Sequence, residues 1–263
     1  MTLGADFLAE CEELDAFVSQ YGEVDFARPT EFWAWTVRDQ VMHLYFVDVL
    51  MLTSIEEEQR FLDWVKEIRA YQATGRELSD YMRERYRDMT RDSLLETWRE
   101  TYRRFAEVFD SRDPKTRMKW FGADMSLMSA ASARQMEVFA HGQDIYDLFG
   151  VEREPKERVR NICELGVRTL GWTFRNRGLE PPPPSEVVLT APSGAVWRWN
   201  EGAQDSVTGP AVDFALVVTQ RRHVDDTALQ VNGEGARRWM EWAQCFAGPP
   251  SEGPPPKRGK REA

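Results

Sequence analysis

The sequence has few cysteines and lacks several motifs of common enzyme classes. Its three cysteines, Cys11, Cys163 and Cys245, are widely separated and form no C-x-x-C pair. This pattern excludes a disulfide framework and a zinc knuckle. The G-x-S-x-G, G-x-x-x-x-G-K and dinucleotide-binding fingerprints are also missing, which removes the common hydrolase, NTPase and Rossmann interpretations.

The chain also has no long apolar run and no excess of basic residues. No segment approaches the length of a membrane span, and the acidic, amphipathic amino terminus differs from a leader sequence. The formal net charge of -10 argues against nucleic-acid or anionic-membrane partners, because clustered Lys and Arg bind those. We therefore expect a cytoplasmic protein with a small-molecule substrate. The oligomeric state stays open.

Apolar residues at helical spacing predict four long helices in the first part of the chain. Thr36 followed by Asp39 indicates a capping box, and Gly150 a helix end. Two charged segments, 56–72 and 76–89, should add an excursion between the second and third long helices. The four long helices are expected over about 7–18, 36–50, 94–109 and 126–149.

After Gly150 the pattern changes to short helices and strands, which predicts an α+β region. Helices are expected over 156–177, from just after Gly209-Pro210 to about 221 and over 236–246, and strands over 186–190, 195–199 and 227–231. The chain should therefore comprise a four-helix bundle, a smaller α+β domain and a disordered tail rich in Pro, Gly and basic residues. These three parts are expected at 1–152, 153–248 and 249–263.

Only three histidines occur, and two of them fall on faces that should point into the bundle. Glu137 and His141 are four residues apart and share one helix face, while His43 lies on the apolar face of another helix. Two imidazoles and a carboxylate can bind one divalent ion and leave positions open for water or substrate. Asp144 is placed to orient His141 or to act as a further ligand.

Simpler interpretations of the same residues stand beside this one. A lone histidine such as His43 on an apolar face is usually a hydrogen-bonded core residue. Glu137 could pair with His141 or Arg134 in the interior without any metal. The spacing alone leaves the metal site and the interior pair equally open. His223, among charged neighbours, is expected at the surface.

The segments Trp35-Thr36-Val37-Arg38-Asp39-Gln40-Val41-Met42-His43-Leu44 and Arg134-Gln135-Met136-Glu137-Val138-Phe139-Ala140-His141-Gly142-Gln143-Asp144 resemble the mycothiol-dependent maleylpyruvate isomerase family. That family belongs to the DinB-like (YfiT-like) metalloproteins, and the similarity is greatest to a metal-binding subfamily without an assigned activity. The resemblance implies a DinB-like four-helix bundle followed by a small α+β domain. It makes His43, Glu137 and His141 the metal ligands, with zinc the usual ion.

The resemblance also implies an arginine near the metal, supplied by Arg221 or Arg222. It favours an S-transferase or isomerase that uses a low-molecular-weight thiol, such as mycothiol, on a small electrophilic substrate. An open metal position lowers the pKa of a bound thiol, which makes this chemistry accessible at neutral pH. Two alternatives remain: a metal-binding sensor or carrier without turnover, and a hydrolase that uses metal-activated water.

Overall fold

The computed structural model describes residues 2–257, and the polypeptide divides into two units, Met1–Glu152 and Arg153–Ala263. The first unit is mostly helical and the second combines short helices with a small sheet. This architecture confirms the predicted fold class, a helical bundle with a smaller α+β part. No helix within residues 2–257 has the length and apolar character required to cross a membrane.

Four long helices form the bundle of the first unit. α1 packs against α6 and α7, and α3 packs against the same two helices, so the four surround one apolar core. The elements of this unit are α1 (Leu3–Val18), α2 (Glu23–Phe26), α3 (Val37–Glu56), α4 (Glu58–Gln72), α5 (Leu78–Arg85), α6 (Arg91–Ser111), β1 (Arg117–Met118), β2 (Met125–Ser126) and α7 (Leu127–Phe149).

The boundaries of α3 and α7 follow from local capping chemistry. Thr36 and Asp39 form the predicted capping box at the start of α3. Ser126 caps the start of α7, and Gly150 ends it in the left-handed conformation, φ 65°, that glycine adopts without steric cost. α4 and α5 form the predicted excursion and pack against α3. The helices that should carry the site are thus defined by sequence signals at their ends.

A buried ion pair joins α3 to α7 inside the bundle. Arg134 donates from Nε to Asp48 Oδ1 at 2.8 Å and from Nη2 to the carbonyl of Leu44 at 3.1 Å. Both charged side chains are almost fully buried, 0% exposed for Asp48 and 1% for Arg134. Burial raises the pKa of the Asp48 carboxyl even though the Arg134 guanidinium acts in the opposite direction. Burying this pair therefore costs free energy, which its hydrogen bonds between the two helices offset in part.

A four-stranded sheet organises the second unit. The strand order is β4-β3-β5-β6, in which β3 and β5 are parallel and the outer pairs are antiparallel. The elements are α8 (Arg160–Arg168), α9 (Leu170–Arg175), β3 (Glu186–Thr190), β4 (Val196–Trp199), β5 (Ser206–Pro210), α10 (Ala211–Val218), β6 (Gln230–Asn232) and α11 (Glu234–Trp242). The hairpin between β3 and β4 turns at Gly194, φ 85°, as predicted.

Several boundaries in this unit differ from the sequence prediction. The single helix expected over 156–177 is divided at Thr169 into α8 and α9, preceded by a 3-10 turn. Strand β5 was not predicted, because only Val207 in it is a buried apolar residue. The strand expected over 227–231 is shifted to β6, and the closing helix ends at Trp242 rather than at 246.

The described part of the tail, residues 249–257, contacts the second unit. Ser251 donates from Oγ to Gln220 Oε1 at 2.5 Å, and its amide donates to Gln244 Oε1 at 3.2 Å. Its carbonyl accepts from Gln220 Nε2 at 2.9 Å and from Arg177. The disorder expected from Pro249 therefore does not describe residues around Ser251, because polar contacts hold a segment that has little apolar surface. Residues 258–263 of the expected tail lie outside the described residues.

Truncation tests these tail contacts. A chain that ends after Gly248 loses every hydrogen bond of Ser251, each contributing about 0.5–1.5 kcal/mol. We expect its Tm to fall by a few degrees in differential scanning calorimetry. A chain that ends after Glu252 keeps Ser251 and should melt like the full protein. Equal Tm for all three chains would contradict these contacts.

A second prediction concerns the contribution of the Asp48–Arg134 pair to the free energy of unfolding. Arg134→Met leaves an unpaired buried carboxylate and should lower the free energy of unfolding by about 3–5 kcal/mol. The double variant Asp48→Leu, Arg134→Met removes both charges and should recover most of that loss. Urea unfolding of metal-free protein measures both values. A double variant at least as unstable as Arg134→Met alone would be inconsistent with a buried pair.

Candidate metal centre

His43 is positioned by the well-fixed start of α3. The Asp39 carboxylate accepts a hydrogen bond from the Thr36 amide at 2.9 Å and another from Arg83 Nε of α5 at 2.9 Å. Burial opposes ionisation of Asp39, yet the Arg83 and Thr36 hydrogen bonds outweigh it and lower the pKa of this carboxyl. These contacts hold the first turn, and His43 follows one turn later on the inward face.

α7 brings the other two predicted ligands to the same place. Glu137 Oε2 lies 3.1 Å from His43 Nε2 and 3.2 Å from His141 Nε2. The three potential ligand atoms all lie within 4.8 Å of one another. The exposed fractions of the side chains are 16% for His43, 26% for Glu137 and 5% for His141. The structure thus joins three residues that are 94 and 4 positions apart in sequence, and the group is partly open to solvent.

The donor set fits one divalent ion. Two ligands that each lie about 2.1 Å from an ion in tetrahedral geometry are separated by roughly 3.4 Å, close to the two distances measured to Glu137. Burial would raise the pKa of the Glu137 carboxyl, but His141 and His43 outweigh it and hold that pKa well below its usual range. Glu137 is therefore an anion facing two imidazoles, a suitable ligand set for zinc.

An amide side chain orients His141. The Nδ1 atom of His141 is hydrogen-bonded to Oε1 of Gln40, a residue of α3 with no exposed surface. Asp144, for which the spacing predicts this contact, has its Oδ2 3.9 Å from the same nitrogen, beyond hydrogen-bond distance. Gln40 precedes His43 by three residues on α3, and no role is predicted for it from the sequence. The available signal was a polar residue on an otherwise apolar face, one turn before a ligand.

Aromatic rings cover the imidazoles on the side of the loop before α3. The ring of Trp35 is parallel to His141, with centroids 5.9 Å apart, and lies 5.4 Å from His43. Phe32 meets His141 edge to face at 5.4 Å. These rings exclude water from one side of the centre, which strengthens electrostatic interactions there. Their part in the site was not predicted.

Arg221 and Arg222 lie in the second unit, directly after α10. The helix ends in a Schellman motif: the Arg221 amide donates to the Leu216 carbonyl at 2.8 Å, and the Gln220 amide donates to Val217 at 3.0 Å. Gln220 takes the left-handed position, φ 58°. Arg221 is buried and donates from Nη1 to the Thr219 carbonyl, whereas Arg222 is half-buried. His223, which is expected at the surface, is half-buried and caps a 3-10 turn.

Comparisons with known proteins place the first unit in a family. The model of the family described as "Mycothiol maleylpyruvate isomerase N-terminal domain" matches residues 7–146. Two uncharacterized proteins of Mycobacterium tuberculosis, from strains CDC 1551 / Oshkosh and ATCC 25618 / H37Rv, are each 38% identical to this chain over 251 residues. Each match covers 95% of this chain and 96% of the relative.

Solved structures share the fold at low sequence identity. A crystal structure of a histidine-to-alanine mutant of the mycothiol-dependent maleylpyruvate isomerase matches with a TM-score of 0.55 and 13% identity, covering 90% of this chain and 96% of that one. A second crystal structure of the mycothiol-dependent maleylpyruvate isomerase gives a TM-score of 0.50 at 13% identity, covering 84% and 92%. These matches establish similarity of fold.

The geometry predicts the metal content of the protein. Wild type should bind about one divalent ion per chain, and Glu137→Ala and His141→Ala should bind almost none, because each loses one of three ligands. Inductively coupled plasma mass spectrometry of dialysed protein measures this. His223→Ala is the matched control, since it removes the histidine outside the cluster and should keep the ion. Equal metal in all four proteins would contradict the assignment.

Proposed function

The chain belongs to the mycothiol maleylpyruvate isomerase N-terminal domain family, and we propose that it is a divalent-metal-dependent enzyme that uses a low-molecular-weight thiol. Its reaction would be the transfer or isomerisation of a small electrophilic substrate. The observation that carries the proposal is the cluster of His43, Glu137 and His141, which offers three ligand atoms and leaves other positions open. Zinc suits this set of two nitrogens and one oxygen.

The chemistry of the ligand set supports an enzymatic role. A divalent ion held there supplies a Lewis acid that lowers the pKa of a thiol at an open position. His43 and His141 provide neutral donors, and Glu137 provides one negative charge, so the residues leave a net positive centre for an anionic sulfur. The aromatic side formed by Trp35 and Phe32 limits access of water on one side.

The protein's own thiols are poorly suited to act as the nucleophile. Cys11, Cys163 and Cys245 are all buried. Burial raises the pKa of the Cys11 and Cys163 thiols, so neither is a thiolate at neutral pH. The nucleophile is therefore proposed to be a thiol from solution, in agreement with the word "mycothiol" in the family description.

One arginine of the Arg221–Arg222 pair is proposed to bind a carboxylate of the substrate or of the thiol. A guanidinium can hold a carboxylate through two parallel hydrogen bonds. The Schellman motif at Gln220 supports this role, because it turns the chain sharply and gives the pair a defined backbone.

An activity assay tests the proposal. Zinc-loaded protein is mixed with mycothiol and, in turn, maleylpyruvate, an electrophilic alkene and an epoxide, and thiol consumption and isomerisation are followed. We expect turnover that requires both metal and thiol. Replacing both Arg221 and Arg222 by Ala should lower kcat/KM about 30- to 160-fold, the loss expected for a charged hydrogen-bonding pair worth about 2–3 kcal/mol. Arg198→Ala, at an exposed position of β4, is the control and should keep full activity.

Other outcomes separate the rival functions. Turnover at full rate without thiol would contradict the proposal and favour metal-activated water. Metal binding without turnover of any substrate would favour a sensor or carrier. Activity that survives loss of both arginines would remove their proposed role while leaving the thiol chemistry in place.

A further inference from the structure

A fully buried amide connects the candidate metal centre to the loop that precedes α3. Gln40 contacts His141 Nδ1 through its oxygen and Thr30 Oγ1 through its nitrogen, the latter at 2.9 Å. We propose that Gln40, oriented by Thr30, is a positioning residue that holds His141 in the tautomer with Nε2 unprotonated and facing the metal. This inference rests on the proposed metal-dependent function.

The directions of these hydrogen bonds follow from the Trp35 backbone carbonyl, which can only accept. The carbonyl of Trp35 accepts from the Thr30 hydroxyl at 2.8 Å and from the Thr30 amide at 2.7 Å. The single hydroxyl proton of Thr30 is thereby used, so its oxygen offers Gln40 only lone pairs. Gln40 must present its NH2 group to Thr30, which turns its carbonyl oxygen toward His141.

The orientation of the amide then determines the imidazole. Because Gln40 Oε1 can only accept, His141 Nδ1 carries the proton. In the neutral ring, Nε2 is then the lone-pair nitrogen, and it is the atom that lies 3.2 Å from Glu137 Oε2. Because Nε2 and the carboxylate oxygen attract each other at that distance only through a positive charge between them, either a proton donated to Glu137 in the metal-free protein or a metal ion that replaces this proton fits the contact. The hydrogen-bond relay runs from the Trp35 carbonyl through Thr30 and Gln40 to His141 Nδ1. It therefore orients Nε2 toward the metal position before an ion is bound.

The same loop contacts the centre twice. The Trp35 backbone carbonyl is the first acceptor of the relay, and the Trp35 ring is stacked on His141. The loop is closed by a bridge between Pro29 and Thr36; Thr30 lies within this loop and, like Gln40 of α3, is buried. A change at Thr30 should therefore reach the metal through Gln40, although Thr30 is not part of the ligand group.

Two pairs of substitutions test the relay, with Co(II) as the metal probe. Gln40→Met keeps the size but removes the acceptor, and we expect it to lower Co(II) affinity about 10–100-fold, as for other residues that orient a ligand histidine. It should also change the visible spectrum of bound Co(II). Gln40→Glu keeps an acceptor oxygen for His141 but loses the NH2 group that donates to Thr30, so it should restore only part of the affinity.

Thr30→Val should lower affinity several-fold, while Thr30→Ser, which keeps the hydroxyl, should match wild type. Thr53→Val is the control, because Thr53 is a similarly buried hydroxyl on α3 that donates only to the Val49 carbonyl. In addition, nitrogen-15 NMR of metal-free protein reports the tautomer directly. We expect the Nδ1-protonated form of His141 in wild type and a mixture of tautomers in Gln40→Met.

The outcomes separate this inference from the proposed function. Wild type without Co(II) binding would contradict the metal centre itself, whatever the tautomer. Wild type and folded Gln40→Met with equal affinity, spectrum and tautomer would overturn the role of Gln40 while leaving the metal centre intact. If Gln40→Met does not fold, Thr30→Val with unchanged affinity and tautomer would overturn it instead.

Discussion

The buried ion pair between Asp48 and Arg134 is the constraint on which the site depends. Apolar faces hold α3 and α7 together, but apolar contact tolerates sliding and rotation. Arg134 removes that freedom, because it donates to Asp48 and to the carbonyl of Leu44, the residue next to His43. Arg134 is also three residues before Glu137 on α7. The pair therefore sets the distance between ligands from two different helices.

Polar contacts serve the same purpose elsewhere in the bundle. Asp15 of α1 accepts from Arg99 Nε at 2.7 Å and from the Tyr102 hydroxyl at 3.0 Å, both on α6. The α3–α7 and α1–α6 contacts thus both combine apolar packing with specific buried polar contacts. Burial of apolar area provides most of the stability. The polar groups cost free energy to bury, and their hydrogen bonds favour one register of each helix against its neighbour. A site with a tolerance of tenths of an ångström requires such selection.

Sequence alone predicts the elements whose signals are local. The Thr36–Asp39 capping box, the Gly150 helix end and the four-residue spacing of Glu137 and His141 all act within one or two helical turns. Features that depend on distant partners were missed. Gln40 meets His141 across 101 positions. Strand β5 has little apolar character of its own and is defined by pairing on both sides. Such contacts leave no periodic pattern in the chain.

The central claim is that one divalent ion is bound by His43, Glu137 and His141. Anomalous diffraction from crystals of the zinc-loaded protein, measured on both sides of the zinc absorption edge, tests it most directly. We expect one strong anomalous peak per chain, about 2.1 Å from Nε2 of both histidines and from the Glu137 carboxylate. A zinc peak at another position, or no peak between these three side chains, would contradict it.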